Sequence, residues 1–394
     1  MVLTIFASQN DSRDKTMFNQ TQIHNFNAGP SALAPSVRTE LSQAIHSIGG
    51  GPGILELSHR SQAFDRIIDD ARHQISRLYE VPDSHEVLFF QGGASLQFAM
   101  VPYNLGTFGG YVTTGEWSRR ALAEAHLIKI REQEAPVELY SEEANGFCAV
   151  PSQIKMTNYS TSPQLNYIHL TSNNTIYGTQ YHKLPSLLGL NGRDLPHDGF
   201  VIDASSDLFS KKIDWSKVSI LYGGAQKNAG PSGVTLVIAR KEISRSAARH
   251  PFCPKILAYR THAEKGSLYH TPNTLGIFAI GAVARWLNQQ GGLTFIAEKS
   301  LKRAQLIYQI IDDSDLYQGH ADSASRSLMN LTFRTTIKEA ESDLLEQAKL
   351  LNIYGLKGHR SVGGLRASLY NAVSDNSIKV LADLLSKTAK KFGA

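Results

Sequence analysis

Lys227 is the residue of this sequence best placed to do chemistry. It lies in the glycine-rich stretch Gly223-Gly224-Ala225-Gln226-Lys227-Asn228-Ala229-Gly230-Pro231-Ser232-Gly233. On either side are apolar runs that read as buried strands, Val218 to Tyr222 and Val234 to Ala239. In open α/β sheets, ligands collect at strand ends. A lysine whose surroundings depress its pKa can there condense with a carbonyl group. Asp203 ends the preceding apolar run, Phe200-Val201-Ile202, and is followed by the small residues Ala204-Ser205-Ser206. A carboxylate at that point can hold a cofactor's pyridine nitrogen protonated, which makes the ring an electron sink for a carbanion at an amino-acid α-carbon. Taken singly, Lys227 reads as a loop lysine and Asp203 as a turn aspartate. An aspartate on one buried strand and a lysine after the next form a more specific pair.

Two further features concern anions. Phe89-Phe90-Gln91-Gly92-Gly93-Ala94-Ser95-Leu96-Gln97 reads as strand, tight turn and helix, with small residues that let backbone N–H groups face an anion. It lacks the three-glycine spacing of a dinucleotide site. The tripeptide His59-Arg60-Ser61 precedes one predicted helix, and His359-Arg360-Ser361 precedes Val362-Gly363-Gly364-Leu365-Arg366. Arg366 lies on the strand face opposite Leu365, Ala367 and Leu369. Arginine grips carboxylates and phosphates with paired hydrogen bonds. Arg60, Arg360 and Arg366, if convergent, would hold a substrate with two anionic ends.

The elements that must position these groups are legible as well. Val87 to Phe90, Asn166 to Leu170 and Phe200 to Ile202 read as strands apolar on both faces, which suits a mainly parallel sheet covered by helices. Phe64, Ile67, Ile68, Ala71, Ile75 and Leu78 follow helical spacing, with Ser61 as N-cap. Leu275, Phe278, Ala282 and Trp286 repeat the pattern after Thr271-Pro272, with the proline at the first helical position. After Gly291-Gly292 come a helix over 293–312, an alternating strand at Met329, Leu331 and Phe333, and a helix to Leu351 opened by a Thr336–Glu339 capping box. A strand at Leu365, Ala367 and Leu369 and a closing helix carrying Ile378, Leu381 and Leu385 complete the unit. The expectation is α/β: a large domain over 23–290, whose first residues pack with a smaller α+β domain over 291–394.

Composition narrows the class. Of 394 residues, 42% are hydrophobic and 19% charged, which excludes a disordered chain. The net charge of +5 is spread out, and adjacent lysines occur only at Lys211-Lys212 and Lys390-Lys391, so no nucleic-acid partner is expected. Cys148 and Cys253 are too few for a disulfide framework or a cysteine metal site and suit a reducing compartment. Met1 to Ala7 is apolar but short and lacks basic residues. Residues 1–22 therefore read as a flexible tail, with no signal peptide, no membrane span and a cytoplasmic location.

From Asn25 to the C-terminus the sequence resembles the phosphoserine aminotransferases of the fold-type-I pyridoxal-phosphate enzymes. The motifs that carry the resemblance are Asn25-Phe26-Asn27-Ala28-Gly29-Pro30, Leu57 to Ser61, Gly92 to Gln97, Thr113 to Ser118, Asn173 to Gly178, Gln226 to Gly233, Thr271 to Thr274 and Gly358 to Ser368. The resemblance implies that Lys227 holds pyridoxal 5'-phosphate covalently and Asp203 pairs with its pyridine nitrogen. It implies that Trp117 stacks on the ring and Thr175 bonds the phenolic oxygen. Ala94, Ser95 and Gln226 would hold the phosphate, together with Asn273 and Thr274 from the other subunit of a homodimer. Arg366 would bind the substrate α-carboxylate, and Arg60, His359 and Arg360, with His59 nearby, the distal anion. The implied reaction is reversible transfer from glutamate to 3-phosphohydroxypyruvate, with a phosphorylated hydroxythreonine as a further substrate. Two positions depart from the pattern: small residues at Ala94-Ser95, where some members carry arginine, and amides at Asn173-Asn174, where an acid sometimes occurs. A cysteine desulfurase, an alanine–glyoxylate type transaminase and a non-catalytic binding protein on the same fold are the alternatives.

Overall fold

The computed structural model describes residues 22–156, 165–188 and 198–393. The expected tail lies outside them except for Gln22. Seven strands form the central sheet: β1 His85–Phe90, β2 Gly110–Thr113, β3 Val137–Ser141, β4 Ile168–Thr171, β5 Phe200–Asp203, β6 Val218–Gly224 and β7 Thr235–Arg240. Their spatial order is β1-β7-β6-β5-β4-β2-β3. Only β7 runs against its neighbours, so the other strands all point their carboxyl ends the same way. The strands β4, β5 and β6 are buried along their whole length, their polar residues His169, Thr171, Asp203 and Ser219 included.

Helices cover both faces. On one side, α1 Pro35–His46, α2 Gln62–Tyr79 and, much later in the chain, a helix at Thr274–Gln289 pack on the sheet. Phe64, Ile68 and Ile75 meet Ile277 and Ile280 over Leu170, Leu221 and Ile238. On the other side, α3 Gly93–Leu105 and α4 Glu116–Ile128 bring Phe98, Met100 and Ala125 onto Tyr111, Val201 and Tyr222. Ser61 caps α2, accepting a bond from the Phe64 amide at 3.3 Å.

The Thr274–Gln289 helix, α5, begins after Asn273, not at Pro272. The Asn273 Oδ1 accepts from the Gly276 amide at 2.8 Å and makes Asn273 the cap, which leaves the proline outside. The expected Thr336–Glu339 box does not form either. The Thr336 hydroxyl bonds the carbonyls of Asp315 and Leu316, and the helix there starts at Lys338 without a side-chain cap.

The C-terminal unit is a three-stranded antiparallel sheet, β8 Tyr317–Gly319, β9 Asn330–Thr335 and β10 Leu365–Ser368, backed by helices α6 Gly292–Asp312, α7 Lys338–Leu350 and α8 Asp375–Lys391. Leu331, Phe333, Leu365 and Ala367 meet Ile307, Leu344, Leu381 and Leu385 in its core. Phe26, fully buried, belongs to this core, because His24–Asn25 pairs in parallel with Ile353–Tyr354. The chain thus enters on the C-terminal unit and then crosses to the lysine turn. Replacing Phe26 by Ala should cost about 3–5 kcal/mol, read as a lowered urea midpoint. An unchanged midpoint would show that the entry strand adds nothing to the core.

Candidate active site

The groups singled out along the central sheet stand at or just past the carboxyl ends of its strands. The Gly92–Ser95 turn follows β1, Trp117 follows β2, Thr175 follows β4, Asp203 ends β5 and Lys227 follows β6. Asp203 lies opposite Thr171 on one neighbouring strand and Tyr222 on the other. Its Oδ1 accepts from the amide and the hydroxyl of Ser205, at 3.0 and 2.6 Å. The Ser205 hydroxyl in turn accepts from the Gly224 amide at 3.2 Å, which couples the carboxylate to the strand that carries the lysine. Burial holds Asp203 above the usual carboxylate range, while the Lys227 charge and the Ser205 bonds pull it back.

The Lys227 amine donates to Thr175 Oγ1 at 2.8 Å and lies 5.1 Å from the centroid of the Trp117 ring. Burial lowers its pKa to about 8; Asp203 opposes this and Arg366 adds to it. The turn is held from several sides. The Asn228 side chain donates to the Leu208 carbonyl at 2.6 Å and accepts from the Asn371 amide at 2.8 Å. Ser31 donates its amide to the Gln226 carbonyl at 3.1 Å and its hydroxyl to the Lys227 carbonyl. Gly29, at φ +133°, lets the entry segment come this close, since a Cβ there would lie 3.0 Å from Lys227 Cγ.

Glycines also shape the anion turn. Gly92 and Gly93 adopt φ of 91° and 67°, and α3 starts with no side-chain cap, so its first N–H groups remain available beside Ala94 and Ser95. Arg366, half-buried on β10, donates to the Thr175 carbonyl at 3.1 Å. His359 is pushed below its ordinary value by burial first and then by the charges of Arg366 and Arg360, with Arg120 adding and Glu116 opposing. One cationic group therefore gathers beside Trp117, over whose ring Arg120 also sits at 5.2 Å. Among the described residues no hydrogen bond or ion pair joins His59 or Arg60 to this group within the chain. The buried His59 Nε2 has no partner, and Arg60 is exposed. Asn273 caps α5, and the Thr274 hydroxyl bonds the Ile54 carbonyl at 2.9 Å.

This donor set suits an aldehyde cofactor bearing a phosphate and a pyridine ring. It offers an amine of lowered pKa, a buried carboxylate, an indole face and an uncapped helix start. The supporting residues differ in how far the sequence marks them. Ser205, two places after Asp203, has the spacing of an aspartate-led turn and was discoverable. Ser31, Asn228 and Tyr370, whose hydroxyl donates to the Ala28 carbonyl at 3.0 Å, were not, because each acts on a segment distant in sequence. The amides Asn173 and Asn174 prove to be donors. Asn173 Nδ2 bonds Ser206 and Asn330, and Asn174 Nδ2 bonds Thr114 and Thr179.

The family model for class-V aminotransferases matches residues 23–381. The chain belongs to the class-V aminotransferases. The phosphoserine aminotransferase of Lysinibacillus sphaericus is 44% identical over 370 residues, which cover 92% of this chain and 96% of that protein. That of Halalkalibacterium halodurans is 42% identical, covering 92% and 97%. Among solved structures, the phosphoserine aminotransferase of Bacillus circulans subsp. alkalophilus superimposes with a TM-score of 0.85 at 37% identity, covering 94% of this chain and 99% of that one. Within the class, this chain falls in the phosphoserine aminotransferase family.

The low Lys227 pKa yields a test. Only the neutral amine attacks an aldehyde, so cofactor-free protein should capture pyridoxal 5'-phosphate faster as pH rises toward about 8 and level off above it. Below that point the rate should fall roughly tenfold per pH unit. A plateau reached only near the ordinary lysine value would contradict the assigned environment.

Proposed function

We propose that this protein is a homodimeric, pyridoxal-phosphate-dependent phosphoserine transaminase of the cytoplasm. It moves an amino group reversibly from L-glutamate to 3-phosphohydroxypyruvate, giving 2-oxoglutarate and O-phospho-L-serine. The observation that carries the reading is the Lys227 amine, lowered toward neutrality by burial beside Asp203, with Thr175 and Trp117 on it. The relatives named phosphoserine aminotransferase supply the substrate class.

The bound cofactor contributes a protonated pyridine ring that takes up the electrons released at the substrate α-carbon. Asp203, fixed through Ser205, keeps the proton at the ring nitrogen. Lys227, as the neutral amine, would take the proton from the substrate α-carbon and return it to the cofactor's aldehyde-derived carbon. Trp117 presents its indole to the ring and Thr175 its hydroxyl to the phenolic oxygen. Ala94 and Ser95 at the start of α3, with Gln226, hold the cofactor phosphate, joined by Asn273 and Thr274 of the partner subunit. Arg366 binds the α-carboxylate. His359 and Arg360, completed by His59 and Arg60, take the distal phosphate of phosphoserine or the distal carboxylate of glutamate. Residues 23–290 thus carry the cofactor, and residues 291–394 bring Arg366 and the His359 loop to it. A phosphorylated hydroxythreonine offers the same two anionic ends and is a further substrate.

A groove supports the dimer. Beside the loop that carries His59 and Arg60, a cavity of about 450 Å³ lies between α2, α5 and the loop from Ile48, with Leu57, Ile67 and Phe278 on its wall. Leu55, 62% exposed, stands in the same loop. A second copy seated there would cover apolar surface next to the substrate arginines.

The thiols argue against cysteine desulfuration. Burial and the carboxylates of Asp322 and Glu142 push Cys148 up, and burial raises Cys253, whereas a nucleophilic cysteine needs the opposite shift.

Two half-reactions in one site predict parallel initial-rate lines for glutamate and 3-phosphohydroxypyruvate. Intersecting lines would contradict the scheme. Arg60→Ala should raise KM for phosphoserine by about tenfold to a hundredfold, as loss of a charge-assisted bond of 1.5–3 kcal/mol implies, with cofactor absorbance unchanged. An unchanged KM would remove Arg60 from the distal site.

A further inference from the structure

A buried polar network that the reaction scheme does not use ties the hairpin carrying Thr175 to the strand carrying Arg366. Asn173 begins this hairpin, in which Asn173–Asn174 pairs with Thr179–Gln180. Its Nδ2 donates to Ser206 Oγ and to Asn330 Oδ1, both at 2.8 Å, and its Oδ1 accepts from the Ser327 hydroxyl at 2.5 Å. Asn330 is the first residue of β9. Its Nδ2 donates to Ser368 Oγ at 2.9 Å and to the Tyr370 hydroxyl at 3.1 Å. Both amides are essentially inaccessible to solvent, and both spend each of their N–H groups. The orientation of each is therefore fixed by its partners. A carboxylate at position 173 could make neither donation.

The same pair of strands, β9 and β10, is stitched to the hairpin twice more. Thr332, directly opposite Arg366 in the β9–β10 register, donates its hydroxyl to the Tyr177 carbonyl at 2.8 Å. Arg366 itself donates to the Thr175 carbonyl. Gly178, at φ +73°, allows the fit, since a Cβ there would lie 2.4 Å from Thr332 Oγ1 and 2.9 Å from the Asn330 carbonyl. From the far side of Asn330, the Tyr370 hydroxyl donates to the Ala28 carbonyl at 3.0 Å, next to the glycine packed on Lys227.

We infer that the Asn173–Asn330 amide pair is a positioning device that holds Arg366, Thr175 and the Ala28-Gly29 segment as one body around Lys227. Neither asparagine touches substrate in this account; each acts through the residues it places. The inference rests on the proposed role of Arg366 as the carboxylate-binding residue. The network spans the hairpin beyond β4, the C-terminal unit and the entry segment, so loosening it lets the arginine drift from the lysine. Binding of the amino acid suffers more than the proton transfer that follows.

The test uses cofactor-loaded enzyme bearing Asn330→Asp, which keeps the side-chain size, and Tyr370→Phe, which removes one hydroxyl. Asn330→Asp should raise KM for both phosphoserine and glutamate about tenfold, the worth of a buried hydrogen bond, and leave kcat within about threefold. Tyr370→Phe should shift KM in the same direction by less. In an Arg366→Ala background, Asn330→Asp should raise KM no further, because the residue it positions is gone. Amide hydrogen exchange over 173–180 should accelerate in Asn330→Asp while the central strands stay protected. A KM increase fully additive with that of Arg366→Ala would overturn the inference. A lower Tm with unchanged KM would do so as well, and so would unchanged exchange over 173–180, whatever the kinetics show. Should Arg366→Ala alone leave KM unchanged, the fault lies in the role given to Arg366, and the exchange measurement decides the positioning claim.

Discussion

An amine and a carboxylate buried at the carboxyl ends of neighbouring strands are the constraint on which the rest of this structure depends. Burial penalises both charges: it pulls Lys227 down to about 8 and pushes Asp203 up, while each charge favours the other. An uncompensated buried charge costs several kcal/mol, so the surroundings supply fixed partners. Ser205 holds the carboxylate through two bonds, and Thr175 accepts from the amine. The proposed chemistry needs the amine neutral and the carboxylate anchored; burial biases the amine, and the Ser205 hydrogen bonds keep the acid in place.

The sheet makes this arrangement possible because its parallel strands end on one level. The groups after β1, β2, β4, β5 and β6 converge there, although they are scattered from Gly92 to Lys227 in sequence. The antiparallel β7 returns the chain from the lysine turn between β1 and β6 and thereby brings the glycine turn at Gly92 near that lysine. Arg366 comes from outside this sheet. The C-terminal unit delivers it, and the polar network around Asn173 and Asn330 fixes the delivery. The entry segment closes the arrangement, with Phe26 in the C-terminal core and Ser31 bonded to the lysine turn.

Much of this is legible in the sequence. Strands apolar on both faces announce themselves, and so does a lysine in a glycine-rich turn, because both depend on neighbours close in sequence. The short strands β2 and β3 escaped: the first opens on Gly109-Gly110, and the second is a half-exposed edge. Local capping rules misplaced two helix starts, at Pro272 and Thr336, where a nearer cap or a distant carbonyl took the side chain. The amide pair was out of reach, since no spacing rule joins residues 157 apart. His59 and Arg60 stood out as a motif, but among the described residues no hydrogen bond or ion pair joins their side chains to the group around Arg366.

The most direct measurement is the visible absorption of the purified protein loaded with pyridoxal 5'-phosphate, followed as phosphoserine is added. The account predicts a yellow protein that bleaches with phosphoserine and with glutamate, regains its colour with 3-phosphohydroxypyruvate or 2-oxoglutarate, and shows neither change in Lys227→Ala. A protein that takes up no cofactor, or one whose colour phosphoserine leaves untouched, would contradict it.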